Sequence, residues 1–465
     1  MPSSARFRSV DFRQRYPGAI LFAIARDLLD GTRRLEQAGR DADADLVLVE
    51  LVAGRSIVWL RHPDLVRALL IDANADVTKA RGLRLAQSLL GRGLLTSEVP
   101  EHTRRRKLVL PAFHHQRLRA YAEQMVALTE SELASWREGD ALDIAASMNR
   151  LTLAVASRTL FGSDVDRDRI SHAVSEGLLA FDRAQHPLGE VFARLPLPNT
   201  LRTRRARAQI DSEVYRLIAA HRAAPGRGDL LDLLVEARDE DTGDGLTDEE
   251  IRDEVVTLLL AGHETTAVGL AWTWMLLAQN PDVRSRMEAE SRQLDAPPTF
   301  DDLRRLPYTR NVFAEAMRLY PPAWTIGREA ARDTDLAGVP IPKGATILFG
   351  PLWLHSDPRF WDAPGAFDPD RFTAERKADR HKFAYLPFSA GRRGCIGEQF
   401  AWMEGTLVLA TLARHVRLDL AGPAPPPHGS VTYRPSGPLR MTPTQHRSCR
   451  PGRRVATDGR REGRG

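Results

Sequence analysis

PFSAGRRGCIGEQFA, residues 387–401, gathers three glycines, two adjacent arginines and one of the chain's two cysteines in a stretch that begins as a loop and ends as a helix. A sulfur there has backbone N–H groups, cations and a helix N-terminus nearby, all of which favour thiolate over thiol. Gly391, Gly394 and Gly397 let the backbone curl around the sulfur and let a flat group approach it. Cys395 is thus a candidate nucleophile or metal ligand. A nucleophile needs a positioned histidine as base, and no motif singles one out. Zinc needs about four ligands, and no second cysteine or histidine pair is spaced to supply them.

The other cysteine, Cys449, lies in an arginine- and glycine-rich end. No disulfide framework is expected, and the pattern suits a reducing compartment. Residues 446–465 hold seven arginines against Asp458 and Glu462, an excess equal to the formal net charge of +5 for all 465 residues. The basicity therefore belongs to a tail that reads as disordered, and the neutral body argues against a nucleic-acid partner. A hydrophobic content of 43% is ample for one large core. No run approaching the ~20 apolar residues of a membrane span stands out, and AILFAIA (19–25) is too short. A soluble, cytoplasmic protein without a membrane anchor is expected.

DLVLVELVAGRSIVWLRHP (45–63) predicts two strands around a turn at Ala53-Gly54-Arg55, and TILFGP (346–351) a further strand. Helical patterns follow at 63–72, 101–138, 142–162, 168–184, 203–223 and 396–416. Thr247 and Glu250 form a capping box for a helix that runs to Asn280-Pro281. Apolar on nearly all sides from Val255 to Leu277, it must cross the middle of the protein. The expected class is mainly α with minor β.

A polar patch, Ala261-Gly262-His263-Glu264-Thr265-Thr266, interrupts that helix. Glycine in a helix costs about 1 kcal/mol relative to alanine, and a buried carboxylate costs more unless paired or protonated. The patch is either a ligand gap with Glu264 as proton carrier, or a plain kink with Glu264 solvated. In EHTRRRK (101–107), His102 and Arg106 share a helix face, which suits a solvated basic helix or an anion site. Arg328, in an apolar segment, is another anion candidate. Glu315 and Arg318, one turn apart in FAEAMRLYPP (313–322), suit a buried ion pair, with Arg371 of FDPDRF (367–372) as third member. A cofactor that brings four equatorial ligands and needs one thiolate resolves the ligand count at Cys395, and haem is such a cofactor.

Phe388-x-x-Gly391-x-Arg393-x-Cys395-x-Gly397 resembles the haem-ligand loop of the cytochrome P450 family. Ala261-Gly262-x-Glu264-Thr265 looks like that family's oxygen-activation motif, and Glu315-x-x-Arg318 with Arg371 like its ion-pair network. These landmarks occur in the family's order. The resemblance implies a single catalytic domain over residues 1–445, a small β-sheet on the N-terminal side and a long central helix crossing over haem b, followed by the tail 446–465. It implies Cys395 as axial thiolate and His102, Arg106, Arg328 and Arg393 as propionate contacts. Phe388 would lie near the sulfur side, and Glu264 and Thr265 would deliver protons. The implied activity is insertion of one oxygen atom of O2 into a C–H bond of a lipophilic terpenoid, fatty-acid or steroid-like molecule. Electrons would come from a separate ferredoxin or flavodoxin with its NAD(P)H-dependent reductase, and the enzyme would be a monomer. Substrate walls would fall near 80–95, 175–200, 258–265, 323–327 and 436–441, including Ala261, Ala323, Trp324, Thr325, Ile326 and Leu439. A haem-thiolate sensor would have little use for Glu264-Thr265, and peroxide-driven relatives typically replace both.

Overall fold

The computed structural model describes residues 7–11, 28–50, 56–162, 198–226 and 228–446. The architecture is built on the helix Asp248–Gln279. The Thr247 hydroxyl accepts the Glu250 N–H at 3.2 Å, and the Glu250 carboxylate accepts the Thr247 N–H at 2.9 Å, which closes the expected capping box. Pro281 starts a new helix, Pro281–Arg292, immediately after. Among the described residues this central helix alone is long and apolar enough to cross a membrane, which corrects the expectation that no such run exists. Most of its apolar stretch is buried inside the protein, so neighbouring helices cover it.

Those neighbours are the helices His115–Ala134, Ile144–Phe161, Pro307–Leu319 and Glu398–His415. Together they enclose a core containing Met125, Met148, Leu151, Trp274, Phe313 and Leu407. Each such side chain stabilises the fold by roughly 1.5–3 kcal/mol on burial. Phe313 lies so close to Gly405 that no side chain fits there. A second cluster joins the helices Pro198–Ala223 and Leu230–Glu236 to the early central helix through Val214, Leu217, Leu231 and Leu259.

The pattern at 101–138 forms two helices rather than one. Glu101–Val109 gives way to a tight turn, Leu110–Phe113, before His115–Ala134. Pro111 lacks the N–H that would continue the first helix.

The main sheet has six strands in the spatial order Ser9–Asp11, Leu46–Glu50, Ser56–Leu60, Thr346–Phe349, Ile326–Ala330, Val77–Lys79. Leu46 stands opposite Leu60 in the expected antiparallel pair, and Ile57 opposite Thr346 in a parallel one. A three-stranded sheet and two hairpins complete a mainly α fold with minor β. The turn at 53–55, the segments 19–25 and 168–184, and Cys449 lie outside the described residues. His446 corrects the expected start of the tail. Its backbone N–H donates to the His415 carbonyl at 2.9 Å, so it belongs to the folded body.

Glu315, Arg318 and Arg371 come together as expected and are fully or almost fully buried. Arg318 donates to both Glu315 oxygens at 2.7 and 2.8 Å, and Arg371 donates to Oε1 at 3.2 Å. Arg318 also donates to the carbonyls of His355, Pro364 and Ala366, which fastens the irregular chain before the Cys395 loop to the core.

Candidate haem site

A single turn, Gly391–Arg393, precedes Cys395, and the helix Glu398–His415 begins three residues after it. The Cys395 N–H donates to the Phe388 carbonyl at 3.0 Å and closes the loop on itself. The Phe388 ring packs edge-on against Trp402 at 5.4 Å. Gly391 has φ +73°, and a side chain there would strike the Leu70 carbonyl. Only glycine satisfies both conditions.

Cys395 keeps accessible surface although protein encloses it, so its sulfur faces an interior hollow. On the central helix, Ala261 is exposed in the middle of an otherwise buried stretch, and a side chain at Gly262 would meet nothing within 4 Å. Ile396 packs against the cluster containing Leu259 and Leu260, which brings loop and central helix to the same place. The Thr265 hydroxyl donates to the Ala261 carbonyl at 2.8 Å.

One electrostatic expectation is corrected here. Burial pushes the Cys395 thiol up, and Glu398 adds to this, outweighing the Gly397 N–H and Arg106. The flanking arginines do not offset burial, because Arg392 is exposed and Arg393 turns away to Glu98 at 2.7 Å and the Val77 carbonyl at 3.2 Å.

The rim of the hollow is strongly positive. Arg106 donates to the Gly394 carbonyl at 2.9 Å, Arg328 to the Gly327 carbonyl at 2.9 Å, and Lys79 to the carbonyls of Leu94 and Ser97. Burial pushes His102 down to about 4, with Lys79, Arg393, Arg106 and Arg328 acting in the same direction. Burial likewise brings Lys79 down to about 7 and Arg328 to about 10. The Glu98 carboxylate is the acidic partner that Arg393 finds within this group. Buried Nε and Nη1 of Arg393 have no hydrogen-bond partner. Unused donors and surplus positive charge fit a ligand bearing carboxylates, such as the propionates of haem.

Lys79 and Glu98 were not anticipated. The signal for Lys79 was the alternation in Val77-Thr78-Lys79, whose first and third residues are buried.

Glu264 is buried rather than solvated. The Thr432 hydroxyl donates to its Oε1 at 2.9 Å, and Arg434 lies 3.6 Å from the same oxygen. Of the expected substrate walls, Ala323, Thr325 and Ile326 are partly accessible. Trp324 and Leu439 are corrections. Trp324, 1% exposed, packs among Leu29, Leu352 and Tyr433 with its indole N–H on the Ser430 carbonyl, and Leu439, 0% exposed, belongs to the central core. Neither has surface to offer a ligand. The stretch 175–197 lies outside the described residues.

The loop after the helix Gln87–Leu90 is clasped by the central helix. Asp253 accepts the Arg92 N–H at 2.6 Å, and Glu254 accepts the Leu94 N–H at 3.0 Å. Gly91 and Gly93 lie against Asp253 and Thr257 too closely for any side chain.

A hollow with an accessible sulfur on one wall and surplus cations at its rim suits an anionic macrocycle that carries a metal, and this is a haem protein. The cytochrome P450 family model matches residues 47–441, and the chain belongs to that family. It is 39% identical to cyclooctatin synthase of Streptomyces melanosporofaciens over 85% of this chain and 88% of that protein. Cyclooctat-9-en-7-ol 5-monooxygenase of the same organism is 38% identical, covering 82% and 84%. Pentalenene oxygenase of Streptomyces avermitilis is 36% identical, covering 82% and 85%. The solved cytochrome P450DA heme domain superposes with a TM-score of 0.83 at 28% identity, covering 95% of this chain and 98% of that one. The protein is an oxidoreductase that uses haem and O2 on a lipophilic substrate.

Proposed function

We propose that this enzyme hydroxylates a terpenoid carbon skeleton, and that Cys395 is the residue whose sulfur would hold the haem iron. One observation carries the substrate class: the three bacterial relatives above are named for making cyclooctatin and for oxygenating cyclooctat-9-en-7-ol and pentalenene, at 36–39% identity over most of the chain. The open, small-residue wall at Ala261 and Gly262 supports a bulky apolar substrate. In the overall reaction one atom of O2 enters a C–H bond to give an alcohol and the other leaves as water, with two electrons and two protons consumed.

Bound haem supplies the centre at which dioxygen is reduced. His102, Arg106, Arg328, Arg393 and Lys79 would hold its carboxylates, and Phe388 would pack beside the Cys395 loop. The Thr265 hydroxyl donates to the Ala261 carbonyl and lies on the same helical turn as Gly262. Glu264 holds a proton-exchanging carboxyl between Thr432 and the hollow. The apolar wall excludes water. Electrons come from a separate ferredoxin or flavodoxin with its NAD(P)H-dependent reductase, and the enzyme works as a cytoplasmic monomer with one catalytic domain.

The test has two arms. The reduced, carbon-monoxide-bound protein should show the red-shifted Soret band of a thiolate-ligated haem, lost in Cys395→Ala. A spin-state titration with cyclic terpenes, fatty acids and steroids should then shift with terpenes first. A response confined to fatty acids or steroids would overturn the substrate class.

A further inference from the structure

His221, Asp229 and Asp232 have no task in the haem chemistry. His221 is in the last turn of the helix Pro198–Ala223, Asp229 caps the helix Leu230–Glu236, and Asp232 is in its first turn. The three are 0%, 5% and 3% exposed. One side-chain nitrogen or oxygen from each lies within 4.8 Å of those from the other two.

Each side chain is held from behind. His221 Nδ1 is 2.8 Å from the Leu217 carbonyl, which can only accept, so Nδ1 carries a hydrogen. Asp229 Oδ1 accepts the Asp232 N–H at 2.9 Å, and Asp232 Oδ2 accepts the Gly228 N–H at 2.7 Å. His221 Nε2 and Asp229 Oδ2 then face each other at 2.9 Å. Asp232 Oδ1 is buried with no hydrogen-bond partner. An imidazole tied through Nδ1–H to a backbone carbonyl, with Nε2 turned to carboxylates, is oriented as metal-binding histidines are.

The charges do not balance without a cation. With hydrogen on Nδ1 alone, the Nε2 lone pair points at the lone pairs of Asp229. A doubly protonated ring repairs that contact, yet sets one positive charge against two buried carboxylates and leaves Asp232 Oδ1 bare. Among the described residues neither carboxylate makes an ion pair with lysine or arginine; the partner of Asp229 is His221. A divalent ion meets all three groups. Two ligand atoms about 2.0–2.1 Å from zinc stand about 2.9 Å apart when they subtend a right angle, which is the separation of Nε2 and Oδ2. Gly162, which ends the helix Ile144–Phe161 with φ +60°, passes so close that a side chain there would come within 2.6 Å of Asp229 Oδ2. Only glycine keeps that oxygen clear.

We propose that His221, Asp229 and Asp232 bind a divalent cation of the zinc class through one imidazole nitrogen and two carboxylates. The nitrogen ligand favours such ions over magnesium and calcium, which take oxygen. The ion ties the end of the helix Pro198–Ala223 to the start of Leu230–Glu236. The site shares no residue with the haem site and does not depend on which substrate is used.

The experiment uses the full-length, haem-loaded protein, stripped with a chelator and titrated with zinc alone. Wild type should retain about one zinc per haem more than His221→Ala or Asp232→Asn, whose affinity should be weaker by about tenfold or more. Zinc should raise the denaturant midpoint of wild type and leave that of Asp232→Asn unmoved, since only an ion bound to the folded chain stabilises it. X-ray absorption at the zinc edge should show nitrogen and oxygen neighbours only. The carbon-monoxide spectrum should be the same in all three proteins. Equal zinc content and equal midpoint shifts in wild type and Asp232→Asn would overturn the proposal and leave a buried histidine–aspartate pair. Sulfur among the zinc neighbours would overturn it too. Asp232→Asn keeps an oxygen for the Gly228 N–H, so the test stays decisive should His221→Ala not fold.

Discussion

Thr432 donates its hydroxyl hydrogen to Glu264 Oε1 at 2.9 Å, a bond between residues 168 positions apart that ties the central helix to the hairpin Pro427–Pro435. The acid beside the hollow is therefore held from outside the helix that carries it. Glu264→Gln should lower product formation by about 10²-fold, the usual scale for one proton-transfer group, while haem content stays normal. Thr432→Val should lower it less, and raise the share of electrons lost to peroxide. Product and peroxide yields per electron pair would check both.

Glu315 neutralises two buried guanidinium groups. Glu315→Ala leaves both uncompensated and should destabilise the protein by about 3–5 kcal/mol. Denaturant unfolding of the haem-loaded protein measures this. Loss of haem at lower denaturant than wild type is expected too, because Arg318 fastens the chain that precedes the Cys395 loop.

Arg393 presents buried donors without partners. Arg393→Gln should weaken haem retention by about tenfold or more, on the scale of one charge-assisted hydrogen bond. Transfer of haem to apomyoglobin gives the rate. Unchanged transfer would remove Arg393 from the cofactor contacts.

Stability should carry a signature of Glu404, a carboxyl 1% exposed on the helix Glu398–His415 that burial pushes up to about 8. Below the ordinary glutamate range, folded and unfolded chains both hold the proton. Between that range and about 8, the unfolded chain releases it while the folded chain keeps it, so stability falls with rising pH by about 1.4 kcal/mol per unit for this group. Above about 8 both forms are ionised and the contribution is gone. The stability difference between Glu404→Gln and wild type should therefore grow from acid to neutral pH, measured by denaturant unfolding across that interval.

Much of the fold was legible because its strongest elements carry local signals. The Thr247–Glu250 capping box and the Asn280-Pro281 stop bound the central helix as read, and Glu315, Arg318 and Arg371 meet as their spacing and resemblance implied. Pro111 was visible as a helix breaker, yet the amphipathic pattern on either side of it hid the split. The loop geometry was legible where one residue type meets a backbone requirement, as at Gly391. The site was not legible where a role depends on partners distant in sequence. Thr432 and Arg434 at Glu264 and Glu98 at Arg393 arise only when the chain folds back. Trp324 and Leu439 were misjudged because apolar residues look alike in sequence whether they line a hollow or fill a core.

Gly91 and Gly93, pressed against Asp253 and Thr257, have a consequence for how this enzyme can diversify. The loop they belong to falls in the stretch 80–95 read from the sequence as a substrate wall, yet neither position tolerates added volume, and the N–H groups of Arg92 and Leu94 are committed to carboxylates of the central helix. New substrate preferences are closed to substitution there. Adaptive change is channelled to positions that carry accessible surface, such as Ala323 and Ile326, which makes these the productive places to randomise in a directed-evolution library.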